Sequence, residues 1–265
     1  MLAALNTPGK TIIKAKKSRD HTEIFFKYLK VPIKIKKTEE HDLIEVYGKN
    51  QFKSFNYNIP SDVSSSAFFI VLTLLSKNSS LLIKGVNINP SRIGIIKILN
   101  KMGAKISFKN QKIYKGEKIS DIFVKSANSL KSINCPIKYN SSAIDEFLII
   151  FLVAAKSKGI SYFKNLSELN QKESPRLKLG SKILNKIGIK TKTTKDSIKI
   201  YGNPKISLHK RVKIKNFMKD HRIFMMSTIA ALTFGGNWKI YDKDSIKTSF
   251  PTFLKIIKKL GGKFN

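Results

Sequence analysis

The sequence predicts an α/β (α+β) fold made of repeated helix-strand-helix-strand-strand units packed around buried helices, and three observations carry that expectation. The same order of periodicities occurs four times along the 265 residues. The boundary after each later second helix is nearly literal: Lys101-Met102-Gly103-Ala104-Lys105, Lys186-Ile187-Gly188-Ile189-Lys190 and Lys259-Leu260-Gly261-Gly262-Lys263. Glycine at such a point suits the left-handed residue that ends a helix before a strand. Finally, the stretch 144–155 is apolar almost all round, as a central helix must be. One unit cannot cover both faces of its own sheet, so the copies have to share a core.

In the first copy, residues 1–5 read as the end of an apolar helix stopped by Asn6-Thr7-Pro8-Gly9, and 10–14 as an alternating strand. Ser18-Arg19-Asp20 opens a helix expected to bury Ile24, Phe25, Tyr28 and Leu29, and strands follow near 33–36 and 43–47. The second copy has a helix over 64–75, a strand over 81–84, a helix over 92–102, and strands near 105–108 and 122–124. The third has a helix over 144–155, a strand over 160–163, a helix over 175–187, and strands near 189–193 and 197–201. The fourth has a helix over 221–234, a strand over 238–241 and a helix over 251–260. The link Asn58-Ile59-Pro60-Ser61-Asp62 lacks periodicity and predicts a crossing between two domains: 1–59, a remnant of a first domain, and 60–265, a domain of three units. The first copy begins inside its helix and has no sister units, so the chain reads as cut before Met1.

Composition narrows the function. A formal net charge of +34 ordinarily suggests nucleic acid or an anionic membrane. Here the excess is Lys spread over the whole chain with Ile, Asn and Phe, which reads as a basic composition more than a binding footprint. Phe52, Phe55 and Tyr57 do interleave with Lys, but at strand spacing they are expected in the core. Cys135 is the only cysteine, which excludes an intrachain disulfide and favours a reducing, cytoplasmic setting. His21, His41, His209 and His221 have no metal-ligand spacing, and no cofactor or metal is expected. The start has no basic region for a signal peptide, and the apolar runs 67–75 and 147–155 are far below membrane-spanning length.

Arginine is the informative cation, with only Arg19, Arg92, Arg176, Arg211 and Arg222 in a background of Lys. A planar fork that grips an anion bidentately has no Lys substitute. Four of these five stand at expected helix beginnings, where free backbone N–H groups already favour anions. The stretch Lys172-Glu173-Ser174-Pro175-Arg176 adds a carboxylate between two cations, with Pro175 in an expected first helical turn. Alone, that stretch reads as well as a solvated helix cap. Together with Asp145 and Arg222 it predicts anion clamps and acid-base groups on a phosphorylated small molecule.

Leu5-Asn6-Thr7-Pro8-Gly9, Ser18-Arg19-Asp20-His21-Thr22-Glu23, Asn89-Pro90-Ser91-Arg92, Ile144-Asp145-Glu146, Lys172-Glu173-Ser174-Pro175-Arg176, Asp220-His221-Arg222-Ile223 and Thr248-Ser249-Phe250-Pro251 stand in an order that resembles the 5-enolpyruvylshikimate-3-phosphate synthase family. The resemblance runs the length of the chain and covers the C-terminal three-fifths of the family pattern. It implies an enolpyruvyl transferase-like domain, an inverse α/β barrel. It also implies transfer of the enolpyruvyl group from phosphoenolpyruvate to the 5-hydroxyl of shikimate 3-phosphate, through a tetrahedral adduct that loses phosphate, by a protein that is a monomer at full length. On that resemblance Asp145 serves the shikimate hydroxyl, Glu173 exchanges a proton with the methylene of phosphoenolpyruvate, and Lys172 bridges the substrates. Arg176 and Arg222 clamp phosphoenolpyruvate, and Arg19 holds the shikimate phosphate. The chain departs from the pattern at Pro175, where Asp is usual, and at Ser61, where Gly is usual. Lys247 lies one place before a lysine position of some members. The family's N-terminal motifs have no counterpart, which implies that the fragment alone lacks activity.

Two rival readings make different predictions. A related enolpyruvyl transferase acting on UDP-N-acetylglucosamine shares the chemistry, but Lys-Glu-Ser-x-x-Arg and Asp220-His221-Arg222 favour shikimate. A non-enzymatic basic fragment gripping nucleic acid would bind by its Lys total, with steep salt dependence and no need of Glu173.

Overall fold

The computed structural model describes residues 1–48, 51 and 53–264. Phe52, one of the aromatics expected in the core, lies outside the described residues. The first unit runs α1 (Leu2–Leu5), β1 (Lys10–Lys16), α2 (His21–Tyr28), β2 (Ile33–Lys37) and β3 (His41–Tyr47). The second runs α3 (Val63–Leu75), β4 (Ser80–Asn87), α4 (Gly94–Lys101), β5 (Ile106–Tyr114) and β6 (Glu117–Lys125). In the third, a short α5 (Asn140–Ala143) precedes α6 (Phe147–Ala155), followed by β7 (Gly159–Phe163), α7 (Arg176–Lys186), β8 (Thr191–Thr193) and β9 (Ile198–Gly202). Then come β10 (Leu208–Ile214), α8 (His221–Phe234), β11 (Gly235–Ile240) and α9 (Phe253–Lys259).

Topology confirms the repeat independently of sequence. Three sheets have the same order, β1-β3-β2, β4-β6-β5 and β7-β9-β8, each antiparallel with the unit's last strand in the middle. The glycines at the three repeated helix ends, Gly103, Gly188 and Gly261, all take positive φ, near +90°. In this region a side chain would be strained, which explains why the boundary is nearly literal.

The shared core is helical. All nine residues of α6 are buried, and α6 packs against α3, α8 and α7. With apolar residues on every side, α6 has no face to offer water. The resulting cluster extends from Val63 to Ile257. A separate, much smaller cluster of Ala4, Phe26, Val31, Ile44 and Val46 belongs to the first unit.

Four local expectations are corrected. In α2 the buried residue is Phe26, whereas Phe25 and Tyr28 turn outward into an aromatic group with Phe55 and Tyr57. That group is not core. Phe55 is 41% exposed, the segment carrying it forms no strand, and the Lys115 ammonium lies 5.4–5.8 Å from the rings of Tyr28, Phe55, Tyr57 and Tyr114. Strand β10, which the sequence reading lacks, pairs in parallel with β11. Lys210 at an inward-parity position and irregular pairing between Leu208 and Arg211 hide its alternation. Helix α6 begins three residues later than expected, which leaves Asp145 and Glu146 at a joint between helices.

Candidate active site

The joint before α6 frees Asp145 from capping duty. Neither Asp145 nor Glu146 caps the helix, and the Asp145 carboxylate turns sideways into a group of cations, Arg19 from the first unit and Lys172 and Arg176 from its own. Pro175 sits at φ −69°, ψ 74°, immediately ahead of α7, and Arg176 N–H donates to the Ser174 carbonyl at 2.7 Å. This is an inverse γ-turn, the three-residue turn that proline's fixed φ suits. The tight turn brings the Ser174 hydroxyl and the Arg176 guanidinium onto the same acceptor, Asp220. Asp220 in turn caps α8 by accepting from Arg222 N–H at 2.9 Å.

The predicted residues converge. Around Asp145, an Arg19 amine touches Oδ2, while Lys172 Nζ and Arg176 Nη1 lie 3.7 and 3.8 Å from Oδ1. Arg222 Nη1 donates to the Asp145 carbonyl at 2.7 Å and stands 3.5 Å from Glu146 Oε1. The Arg176 side chain is only 2% exposed. Its Nε donates to Asp220 Oδ2 at 2.8 Å, Nη2 reaches Asp220 Oδ1 at 3.3 Å, and the same Nη2 binds Glu173. Ser174 donates to Asp220 Oδ2 at 2.7 Å. Lys172 donates to Glu168 at 2.7 Å, and the Glu173 side chain is 53% exposed at the mouth of the group.

Electrostatics separate the carboxyls by role. Burial pushes the Asp145 carboxyl up, but Arg222, Arg19 and Lys172 together outweigh it and hold the group below its ordinary value. Burial likewise opposes ionisation of Asp220, and its bonds from Arg176 and Ser174 reverse the balance to a lowered pKa. Glu146 goes the other way: burial raises it, and Arg222 and Ser64 do not fully compensate. His221 is lowered by burial and then by Arg222, which keeps it neutral near pH 7. Asp145, Glu146, Glu168, Glu173 and Asp220 are five of the chain's 17 acidic residues, gathered against four cations. In a chain of net charge +34, nearly a third of the acidic residues thus meet at one place.

Arg19, Asp145, Lys172, Glu173, Arg176 and Arg222 therefore share one network drawn from three of the units. Arg176 is a buried hub, and the more exposed Arg19, Lys172 and Glu173 form the approach to it. Sequence reasoning placed Asp220 at a helix start but missed its bond to Arg176, since nothing local marks a pair 44 residues apart. It also missed Ser64, which hydrogen-bonds Glu146 at 2.5 Å. Lys247 is exposed and paired with Asp244 at 2.9 Å. A cleft of about 680 Å³, lined by His21, Phe25, Tyr57, Asp62, Arg92 and Glu117 among others, lies between the first two units and contains none of the six network residues. Within it His21 pairs with Glu117, and Arg92 with Asp62. Among the described residues, no group of His, Cys, Asp or Glu is arranged to hold a metal ion, and no helix is long and apolar enough to cross a membrane.

Known proteins of similar sequence and structure point the same way. The chain is 37% identical over 266 residues to the 3-phosphoshikimate 1-carboxyvinyltransferase of Ruthia magnifica and 38% identical over 261 residues to that of Petrotoga mobilis. These matches cover 100% and 98% of this chain, which spans 59% of either relative's length. The solved EPSP synthase from Acinetobacter baumannii superposes with a TM-score of 0.88 at 32% identity, over 97% of this chain and 58% of the other. The enolpyruvyl transferase NikO from Streptomyces tendae shares the fold, with a TM-score of 0.74 at 15% identity over 98% of this chain and 57% of its own. The model of the family described as EPSP synthase (3-phosphoshikimate 1-carboxyvinyltransferase) matches residues 1–257, and the chain belongs to that family.

Proposed function

We propose that this chain carries the acid-base half of an enolpyruvyl transfer from phosphoenolpyruvate to the 5-hydroxyl of shikimate 3-phosphate. The observation that carries the reading is the meeting of Asp145, Lys172, Glu173, Arg176 and Arg222 in one network of ion pairs and hydrogen bonds. In this scheme the hydroxyl oxygen attacks C2 of phosphoenolpyruvate and gives its proton to Asp145, while Glu173 delivers a proton to the methylene carbon. The resulting adduct expels inorganic phosphate as its C–O bond breaks, and Glu173 takes a proton back from the new methyl group. Asp145 is held ionised by its cations and so is always ready to accept, though as a weak base it depends on being close to the hydroxyl. Arg222, Arg176 and Lys172 offset the charges of phosphate and carboxylate, and Arg19 offsets the acceptor's phosphate. The reading also places the protein with the soluble biosynthetic enzymes of the cytoplasm, acting on small molecules as a monomer.

Because the chain spans 59% of its relatives' length, the test uses two proteins. One is the 265-residue chain, and the other is the same chain joined to the segment of the Acinetobacter enzyme that lies outside the match. Phosphate release is measured with phosphoenolpyruvate and shikimate 3-phosphate. We expect release from the joined chain that needs both substrates and is lost by at least about a hundredfold in Glu173→Gln, with substrate binding kept. No release, or release with UDP-N-acetylglucosamine in place of shikimate 3-phosphate, refutes the proposal.

A further inference from the structure

A second line of polar contacts runs behind the site, away from Glu173 and Lys172. It begins at Asp62, in the crossing between residues 1–59 and the remainder. There Ser61 is pinned to the sheet on both sides, its N–H donating to the Gly85 carbonyl and its carbonyl accepting from Asn87, each at 2.9 Å. Arg92 Nη2 binds Asp62 Oδ1 at 2.9 Å and the Ser64 hydroxyl at 2.8 Å. Ser64 donates to Glu146 Oε1 at 2.5 Å, and the same oxygen lies 3.5 Å from Arg222 Nη1, which is bonded to the Asp145 carbonyl. Four helix beginnings, those of α3, α4, α6 and α8, are thereby joined from the crossing to the site.

Glu146 is the least expected member of this line. It is 3% exposed, its side chain caps no helix, and among the described residues it is paired with a hydroxyl and a guanidinium. A buried carboxyl costs several kcal/mol of desolvation unless its bonds repay it. An alanine or leucine would pack this joint more cheaply. The burial-raised pKa is consistent with a group whose charge is only partly offset there.

We propose that Glu146 is a positioning residue: with Ser64 and Arg92 it fixes the Arg222 guanidinium and ties that guanidinium to the crossing segment. The kinetic consequence rests on the reading above that Arg222 grips an anionic substrate; the contact itself does not.

The contact is tested on the 265-residue chain by nitrogen-15 NMR of arginine side chains, following rotation about the Nε–Cζ bond of Arg222, with Arg222→Lys identifying the signal. Glu146→Gln keeps the shape and removes the charge, while Ser64→Ala removes the bridging hydroxyl; if one fails to fold, the other still decides. Rotation at least about threefold faster in either folded variant is expected. Unchanged rotation in a folded variant overturns the inference whatever turnover shows. In the joined chain, Glu146→Gln should raise KM for phosphoenolpyruvate about tenfold with kcat changed less than threefold, and add nothing further in an Arg222→Lys background. Additive losses, or an unmoved KM in an enzyme that turns over, also overturn it. Absence of wild-type turnover condemns the functional reading and leaves the NMR result to decide Glu146.

Discussion

Arg176 shows how much a single residue can be made to do. It is fully charged, almost without access to water, and bonded to Asp220 through two nitrogens. Removing one partner of such a pair leaves a buried charge uncompensated, at a cost of about 3–5 kcal/mol. Asp145 and Glu173 remain beside Arg176, so we expect Asp220→Asn to lose about 3 kcal/mol at pH 7 by urea unfolding, the low end of that range. The native Asp220 pKa is lowered, so its contribution is present in full above the unfolded value, about pH 4, and disappears as pH falls through the native value. The stability gap between the native chain and Asp220→Asn should therefore close in acid. A gap that stays constant from pH 7 down to acid unfolding contradicts the assignment. At this scale the sequence told less than it seemed to. The scarcity of Arg against Lys singled out Arg19, Arg176 and Arg222, and the three meet around Asp145. Whether each one faces a ligand or a neighbouring carboxylate depends on partners that are distant in the chain, and the motif alone cannot say.

Elements were more legible than side chains. The start and end of α8 are those expected, and α3, α7 and α9 differ from expectation by two residues or fewer at each end, since their apolar periods and glycine stops are local signals. The turn into α6 was not legible, because a continuous apolar run hides a break in helical geometry. Close approach between elements was equally hidden, and two helix glycines measure it. A Cβ on Gly94 at the start of α4 would stand 2.7 Å from the Ser142 carbonyl carbon and 2.8 Å from its oxygen, the backbone of α5 and its exit. On Gly180 in α7 the nearest atom would be Leu148 Cδ2 at 2.8 Å, a methyl that can turn away. Alanine gains about 1 kcal/mol over glycine in a helix interior, and less at a first helical position such as Gly94. Overpacking that moves backbone costs about 1–3 kcal/mol. We therefore expect Gly94→Ala to lose about 2 kcal/mol and Gly180→Ala to fall within about 1 kcal/mol of the native chain in urea unfolding. Equal effects at the two positions would mean that α4 is not seated on the backbone beside it.

Across the whole molecule, the repeat makes copies of a unit but not equal shares of core. The large cluster draws on α3, α6, α8 and every other element from Val63 to Ile257 except β8, while the buried cluster of residues 1–47 is Ala4, Phe26, Val31, Ile44 and Val46. So small a core gives little protection by itself. The first unit meets the rest through polar contacts, His21 to Glu117, Asn89 to Asp20 at 2.8 Å and Arg19 to Asp145, and through the aromatic group around Lys115. Glu117 is the pivot among them, 5% exposed at the start of β6 and also within 3.4 Å of Asn89 Nδ2. Local opening should follow this division, because contiguous units with few buried contacts open at lower free energy than the global transition. Amides of β1 and β3 are expected to exchange with solvent at least about tenfold faster than those of α6 and α8, by native-state hydrogen exchange. Glu117→Gln should widen the difference by speeding β1 and β3 while leaving α6 unchanged, since α6 lies in the other buried cluster. Uniform exchange across all four elements would show that the polar crossing couples the two cores as strongly as packing does. The Arg19 end of the site would then be as firmly held as the Arg176 end.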